Sequence, residues 1–104
     1  MIHTLVIFHV QPGRAEDFEA AHRTLVASMG DQPGCIEIRA HRSLNDQLEY
    51  MVYGTWEDKD AWERAHQTPG FKTLFKRLPL ADHTLSRASF FEPVYRKHGR
   101  QEAT

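Results

Sequence analysis

Trp56, Trp62, His66 and Phe71 bring two indoles, an imidazole and a phenyl ring into one short stretch of chain. An unshifted imidazole titrates near neutrality, so His66 can take up or release a proton under ordinary conditions. Aromatic neighbours would supply the dry, low-dielectric surroundings in which such a transfer is effective. A helix-capping or surface histidine explains the same residue, and both readings stand at the level of sequence. His22 divides in the same way between a supporting role at a site and a satisfied histidine of the core or its rim. Trp56 and Trp62 are read either as packing anchors or as ligand contacts.

The elements that must position these groups are legible from periodicity. Ile2 to Val10 is mostly β-branched or aromatic and is broken by Pro12-Gly13, which reads as a first strand. Phe18, His22, Leu25, Val26 and Met29 recur at helical spacing behind acidic Glu16 and Asp17, predicting a helix from about residue 14 to about residue 30 with Gly30 as its C-terminal cap. After Pro33-Gly34, Cys35 to Arg42 alternates, with Ile36, Ile38 and Ala40 on one face and Glu37, Arg39 and His41 on the other. A turn at Asn45-Asp46 leads to a returning strand from Leu48 to Trp56. On that strand Tyr50 and Tyr53 point to opposite faces, so at most one of them meets the helices.

Asp58 suits the N-cap of a second helix whose face is Ala61, Trp62, Ala65 and His66. Thr68 and Pro69 then restart it, as N-cap and first helical residue, and Phe71, Leu74, Phe75 and Leu78 repeat until Pro79. The region is therefore a broken helix. A last strand is expected from His83 to Tyr95, with Leu85, Phe90, Phe91 and Val94 as its apolar residues and Pro93 marking an edge or bulge. Residues 1–95 form one domain, and residues 96–104 read as a polar tail.

Composition excludes several classes of function. Thirteen Lys and Arg against fourteen Asp and Glu leave a net charge of −1, so the basic surplus that drives nucleic-acid binding is missing. One cysteine, Cys35, rules out an intrachain disulfide and any cysteine-cluster metal site, and a reducing cytoplasm is the expected compartment. Leu5-Val6-Ile7-Phe8 is too short for a signal sequence, and no run approaches a membrane span, so a soluble, retained protein is expected. Seven histidines invite a metal site. Yet His3 and His9 lie about 20 Å apart along one strand, and no paired ligand spacing occurs.

The order β-α-β-β-α-β is that of a ferredoxin-like split βαβ, an α+β fold with both helical regions on one face of an antiparallel sheet. Its first strand is apolar on both sides, since Leu5 and Ile7 point opposite to Val6 and Phe8. An exposed second face of that kind is an aggregation liability, and a homodimer packing sheet on sheet would cover it.

Pro33-Gly34-Cys35-Ile36, the run Ile38 to Ser43 and the segment from Trp56 to Phe71 resemble the antibiotic biosynthesis monooxygenase family of dimeric α+β-barrel proteins. The resemblance covers residues 2 to about 95, and its most specific part is Trp56 followed by His66 and Phe71. It implies oxygen insertion without metal or flavin. A phenol or enol of a small aromatic or quinol-like substrate is deprotonated, its anion passes an electron to O₂, and the resulting peroxide collapses to a quinone or hydroxylated product. Under that reading His66 handles the proton, and Phe18, His22, Trp56, Trp62, Phe71 and Phe75 line the substrate pocket. The haem-degrading branch of the superfamily is the alternative. It implies an asparagine, a second tryptophan and an axial histidine where this chain has Val6, Ala65 and Phe75. A non-catalytic small-molecule-binding dimer is the third reading. Relatives of the oxygenase type often carry an acidic residue where this chain has Gly54.

Overall fold

The computed structural model describes residues 1–100, the Leu85 side chain excepted; the last four residues of the expected tail and the apolar contribution of Leu85 lie outside the described residues. Eight elements follow one another. They are β1 (Ile2–His9), α1 (Ala15–Gly30), β2 (Cys35–Arg42), β3 (Glu49–Trp56), α2 (Lys59–His66), α3 (Pro69–Lys76), a single 3₁₀ turn (His83–Leu85) and β4 (Ser89–Phe91). The strands form one antiparallel sheet in the order β2-β3-β1-β4, the ferredoxin-like arrangement that the element order predicts.

Register decides which residues meet the helices. β1 pairs with β3 so that Thr4, Val6 and Phe8 lie opposite Gly54, Val52 and Tyr50. These alternate positions, with Trp56, make up the helix-facing side, where Phe8, Tyr50 and Trp56 are buried with Phe18, Leu25 and Met29 of α1. His3, Leu5, Ile7, Met51 and Tyr53 occupy the other side of the sheet by the same alternation.

Local chemistry sets the helix ends. The Asp58 carboxylate accepts the Ala61 N–H at 2.8 Å and starts α2. At the break, the Thr68 hydroxyl accepts the Phe71 N–H at 3.2 Å and donates to the Ala65 carbonyl at 3.0 Å, while Pro69 opens α3. One threonine thus closes one helix and opens the next. Gly34 has φ +87°, and a Cβ there would stand 2.5 Å from the Ala61 Cβ. The Pro33-Gly34 turn is therefore the surface on which α2 seats itself.

Three expectations need correction. Gly30 is the last helical residue and its φ is not positive; the α1 C-cap is Asp31, whose N–H donates to the Ser28 carbonyl. A glycine cap with positive φ is unnecessary because the chain leaves through a further turn, in which the Gln32 N–H donates to the Met29 carbonyl, before Gly34 takes that conformation. In β2, a bulge between Cys35 and Glu37 expels Ile36, which is 54% exposed, so it does not share a face with Ile38 and Ala40. The last strand is much shorter than His83 to Tyr95. It pairs only His3–Leu5 with Phe91–Ser89, because the 3₁₀ turn uses His83 to Leu85 and Pro93 has no N–H for the ladder. β4 is an edge strand, and residues 92–100 adopt no regular structure. No helix among the described residues is long and apolar enough to cross a membrane.

Candidate functional site

A chamber of about 320 Å³ lies between the helix-facing side of the sheet and all three helices. β1 and β3 give its floor through Thr4, Val6, Val52 and Gly54, and α1 gives one wall through His22, Leu25 and Met29. Trp62 and His66 of α2 close it opposite, with Phe71 and Phe75 of α3. Among the described residues its lining carries no carboxylate, lysine or arginine. Such a lining favours flat apolar ligands and strengthens the few polar contacts it offers.

His66 is held in an aromatic box. Its ring centroid stands 4.2 Å from Trp62 in a stacked arrangement, 4.6 Å from Phe71 and 5.9 Å from the Trp56 indole. The Nδ1 atom is 2.7 Å from the Trp62 carbonyl, one helical turn back. A carbonyl can only accept, so Nδ1 carries the hydrogen and donates it. The neutral ring then has its lone pair on Nε2, which has no protein partner among the described residues. Burial pushes the imidazole below its usual range, and the hydrogen bond to Trp62 opposes this in part. Near neutral pH the ring is therefore an uncharged base of fixed tautomer beside an apolar void.

Gly54 has a steric role. A Cβ at this position would stand 2.6 Å from the Thr4 hydroxyl and 3.0 Å from the Trp56 indole nitrogen. A larger side chain has no room at this position, and the glycine leaves space for the two polar groups at the chamber floor. Trp56 itself is 2% exposed and serves the core as well as the chamber.

Of the residues singled out from sequence, the chamber brings together His22, Trp56, Trp62, His66, Phe71 and Phe75. Phe18 stands apart from it. The ring packs against Phe8 and Tyr50 and stacks on His22 at 5.2 Å, in the core beside the chamber. His22, 5% exposed, stays neutral, since burial pushes its pKa down to about 4. Tyr50 faces the helices and donates its hydroxyl hydrogen to Glu19. Tyr53 is on the opposite side, its hydroxyl 2.8 Å from His3 Nδ1. Thr4, Val6, Val52 and Met29 were not singled out as site residues, although alternation along the strands and the α1 stripe could have found them. Among the described residues no group of three or more His, Cys, Asp or Glu could hold a metal ion.

A split βαβ sheet carrying an aromatic chamber with two neutral histidines, His22 and His66, defines a small ferredoxin-like α+β domain built around a cavity. The pattern of the antibiotic biosynthesis monooxygenase family matches residues 1–77, and the chain belongs to that family. It is similar to the deoxynogalonate monooxygenase of Streptomyces nogalater, 32% identical over 84 residues that make up 78% of this chain and 70% of that one. Among solved structures, SnoaB, a cofactor-independent oxygenase from Streptomyces nogalater, superposes with a TM-score of 0.81 at 25% identity, covering 91% of this chain and 94% of that one. The human N-terminal EF-hand calcium-binding protein 3 is 37% identical over 68 residues. That match takes in 65% of this chain but spans only 16% of the length of the EF-hand protein.

Proposed function

We propose that this protein is a cofactor-independent monooxygenase that oxidises an electron-rich aromatic or quinol-type substrate with O₂. The observation that carries this reading is the unpartnered Nε2 of neutral His66 at an apolar chamber. The family membership and the resemblance to SnoaB support it. Nε2 takes a proton from a phenol or an activated CH₂, and the resulting anion gives one electron to O₂. Substrate radical and superoxide join to form a C–O bond. The imidazolium returns its proton to the peroxide, the second C–H proton is then lost, its electron pair forms the carbonyl as the O–O bond breaks, and the departing hydroxide leaves with that proton as water. One CH₂ and one O₂ thus become one C=O and one H₂O.

Trp62 positions the base through its carbonyl, and the Thr4 hydroxyl and Trp56 indole N–H are placed to receive a developing oxyanion. The partner in this proposal is a second copy of the chain, covering the outer side of the sheet, and the compartment is the cytoplasm, which suits a lone cysteine.

The test is oxygen uptake with anthrone as substrate. His66→Phe keeps an aromatic ring in the box and removes the base, so uptake should fall by about 10²–10⁴-fold with circular dichroism unchanged. An unaltered rate in a folded His66→Phe protein would falsify the assignment.

A further inference from the structure

A second cavity, about 280 Å³, opens beside the chamber and shares His22 and Val26 with it. We propose that this cavity is an anion-binding mouth, and that the substrate it admits is an elongated aromatic acid whose carboxylate is held by Arg23 and Arg42. The inference rests on the reading of the chamber as an aromatic-substrate site and names the substrate class.

The two cavities are lined by successive residues of the same two elements. On β2 the chamber takes Ile38, and the second cavity takes Ala40, His41 and Arg42. On α1 the chamber takes Met29 and the second cavity takes Arg23 and Glu19, with Val26 and His22 common to both. Ile38 to Arg42 spans about 13 Å of strand. Met29 to Glu19 spans about 15 Å of helix. The two walls are of similar length, and the Arg42–Glu19 contact ties their outer ends. A ligand of two or three fused rings lying in the crevice therefore reaches from the chamber to the arginines.

Charge separates the two ends. At the mouth, Glu19 Oε2 accepts from Arg42 Nη2 at 2.7 Å and from the Tyr50 hydroxyl at 2.5 Å. Arg23 lies on the same wall and has no carboxylate within salt-bridge distance among the described residues. Two guanidinium groups against one carboxylate leave a net positive charge. Both stay charged at any working pH and present planar donor pairs that fit a carboxylate. His22, at the junction, is buried and neutral, so no cation competes deeper in the crevice. An aromatic body with one terminal carboxylate matches both ends at once.

The test is a tryptophan-fluorescence titration of the full chain with anthracene-2-carboxylate and with its methyl ester. The acid should bind about tenfold more tightly than the ester at low salt. The gap should close as salt is raised. Arg23→Gln, which breaks no salt bridge among the described residues, should bring the acid to the affinity of the ester and leave the ester unchanged. Arg42→Gln, with folding checked by circular dichroism, should act in the same direction. Equal affinity of acid and ester in the wild type, equal weakening of both by Arg23→Gln, or binding of neither ligand would each overturn the proposal. The acid preference is read without turnover. If it persists while anthrone drives no oxygen uptake, the mouth stands and the oxygenase reading fails.

Discussion

His66 and His22 show how two imidazoles on neighbouring helices reach the same protonation state for different purposes. Both are neutral near pH 7 because burial disfavours the cation. In the proposed mechanism the base form of His66 is the active one, so kcat/KM for oxygen uptake should be level at pH 7 and fall on acidification, with its midpoint below the ordinary histidine value of 6.5. A midpoint above 7 would show that the imidazolium is stabilised in the box and cannot act as drawn. For His22 the consequence is stability. The unfolded chain binds its proton below about pH 6.5, and the folded chain binds it only near pH 4. Stability is therefore complete above 6.5, declines between 6.5 and 4, and is level in this respect below that. The loss amounts to about 3 kcal/mol. Urea midpoints at pH 7.5 and 4.5, compared between wild type and His22→Phe, should show the extra acid sensitivity only in the wild type. Sequence carried the identity of both histidines but not the tautomer of His66. The Trp62–His66 spacing of one helical turn held that information, and only the conformation shows that the ring turns back to its own helix.

At the level of elements, the caps were readable and the interruptions were not. Asp58 and the Thr68-Pro69 pair act through neighbours three residues away, so their effect is written locally. The Ile36 bulge and the three-residue β4 depend on what lies across the sheet, which periodicity along one segment does not record. The second cavity was missed for a related reason. Glu19 and Arg42 meet from elements distant in sequence, and each alone looks like a solvated charge. Gly34 connects the two levels, since its backbone is left-handed and its missing Cβ admits Ala61 of α2. Gly34→Ala should cost about 1–3 kcal/mol from strain and overpacking. It should also displace α2, weakening aromatic ligands along with the fold. A chemical melt gives the first effect and the fluorescence titration gives the second. Unchanged stability would show that α2 is seated by contacts other than this turn.

For the whole molecule, the two sides of the sheet have separate tasks. The helix-facing side encloses the chamber, and the outer side presents Leu5, Ile7, Met51 and Tyr53, with Phe91 54% exposed on β4. A homodimer covering this side predicts twice the chain mass in light scattering. Leu5→Glu, at the centre of that side opposite Tyr53 and Ser89, should yield a folded monomer. A monomeric wild type at micromolar concentration would remove the dimer from the proposal. The residues described as lining the chamber belong to the sheet, the three helices and the segment before β4 of the same chain. Occupancy should consequently survive dilution past the point of dissociation, with one equivalent of ligand per chain and a hyperbolic saturation curve. Pairing would then govern solubility and lifetime and not the filling of the chamber.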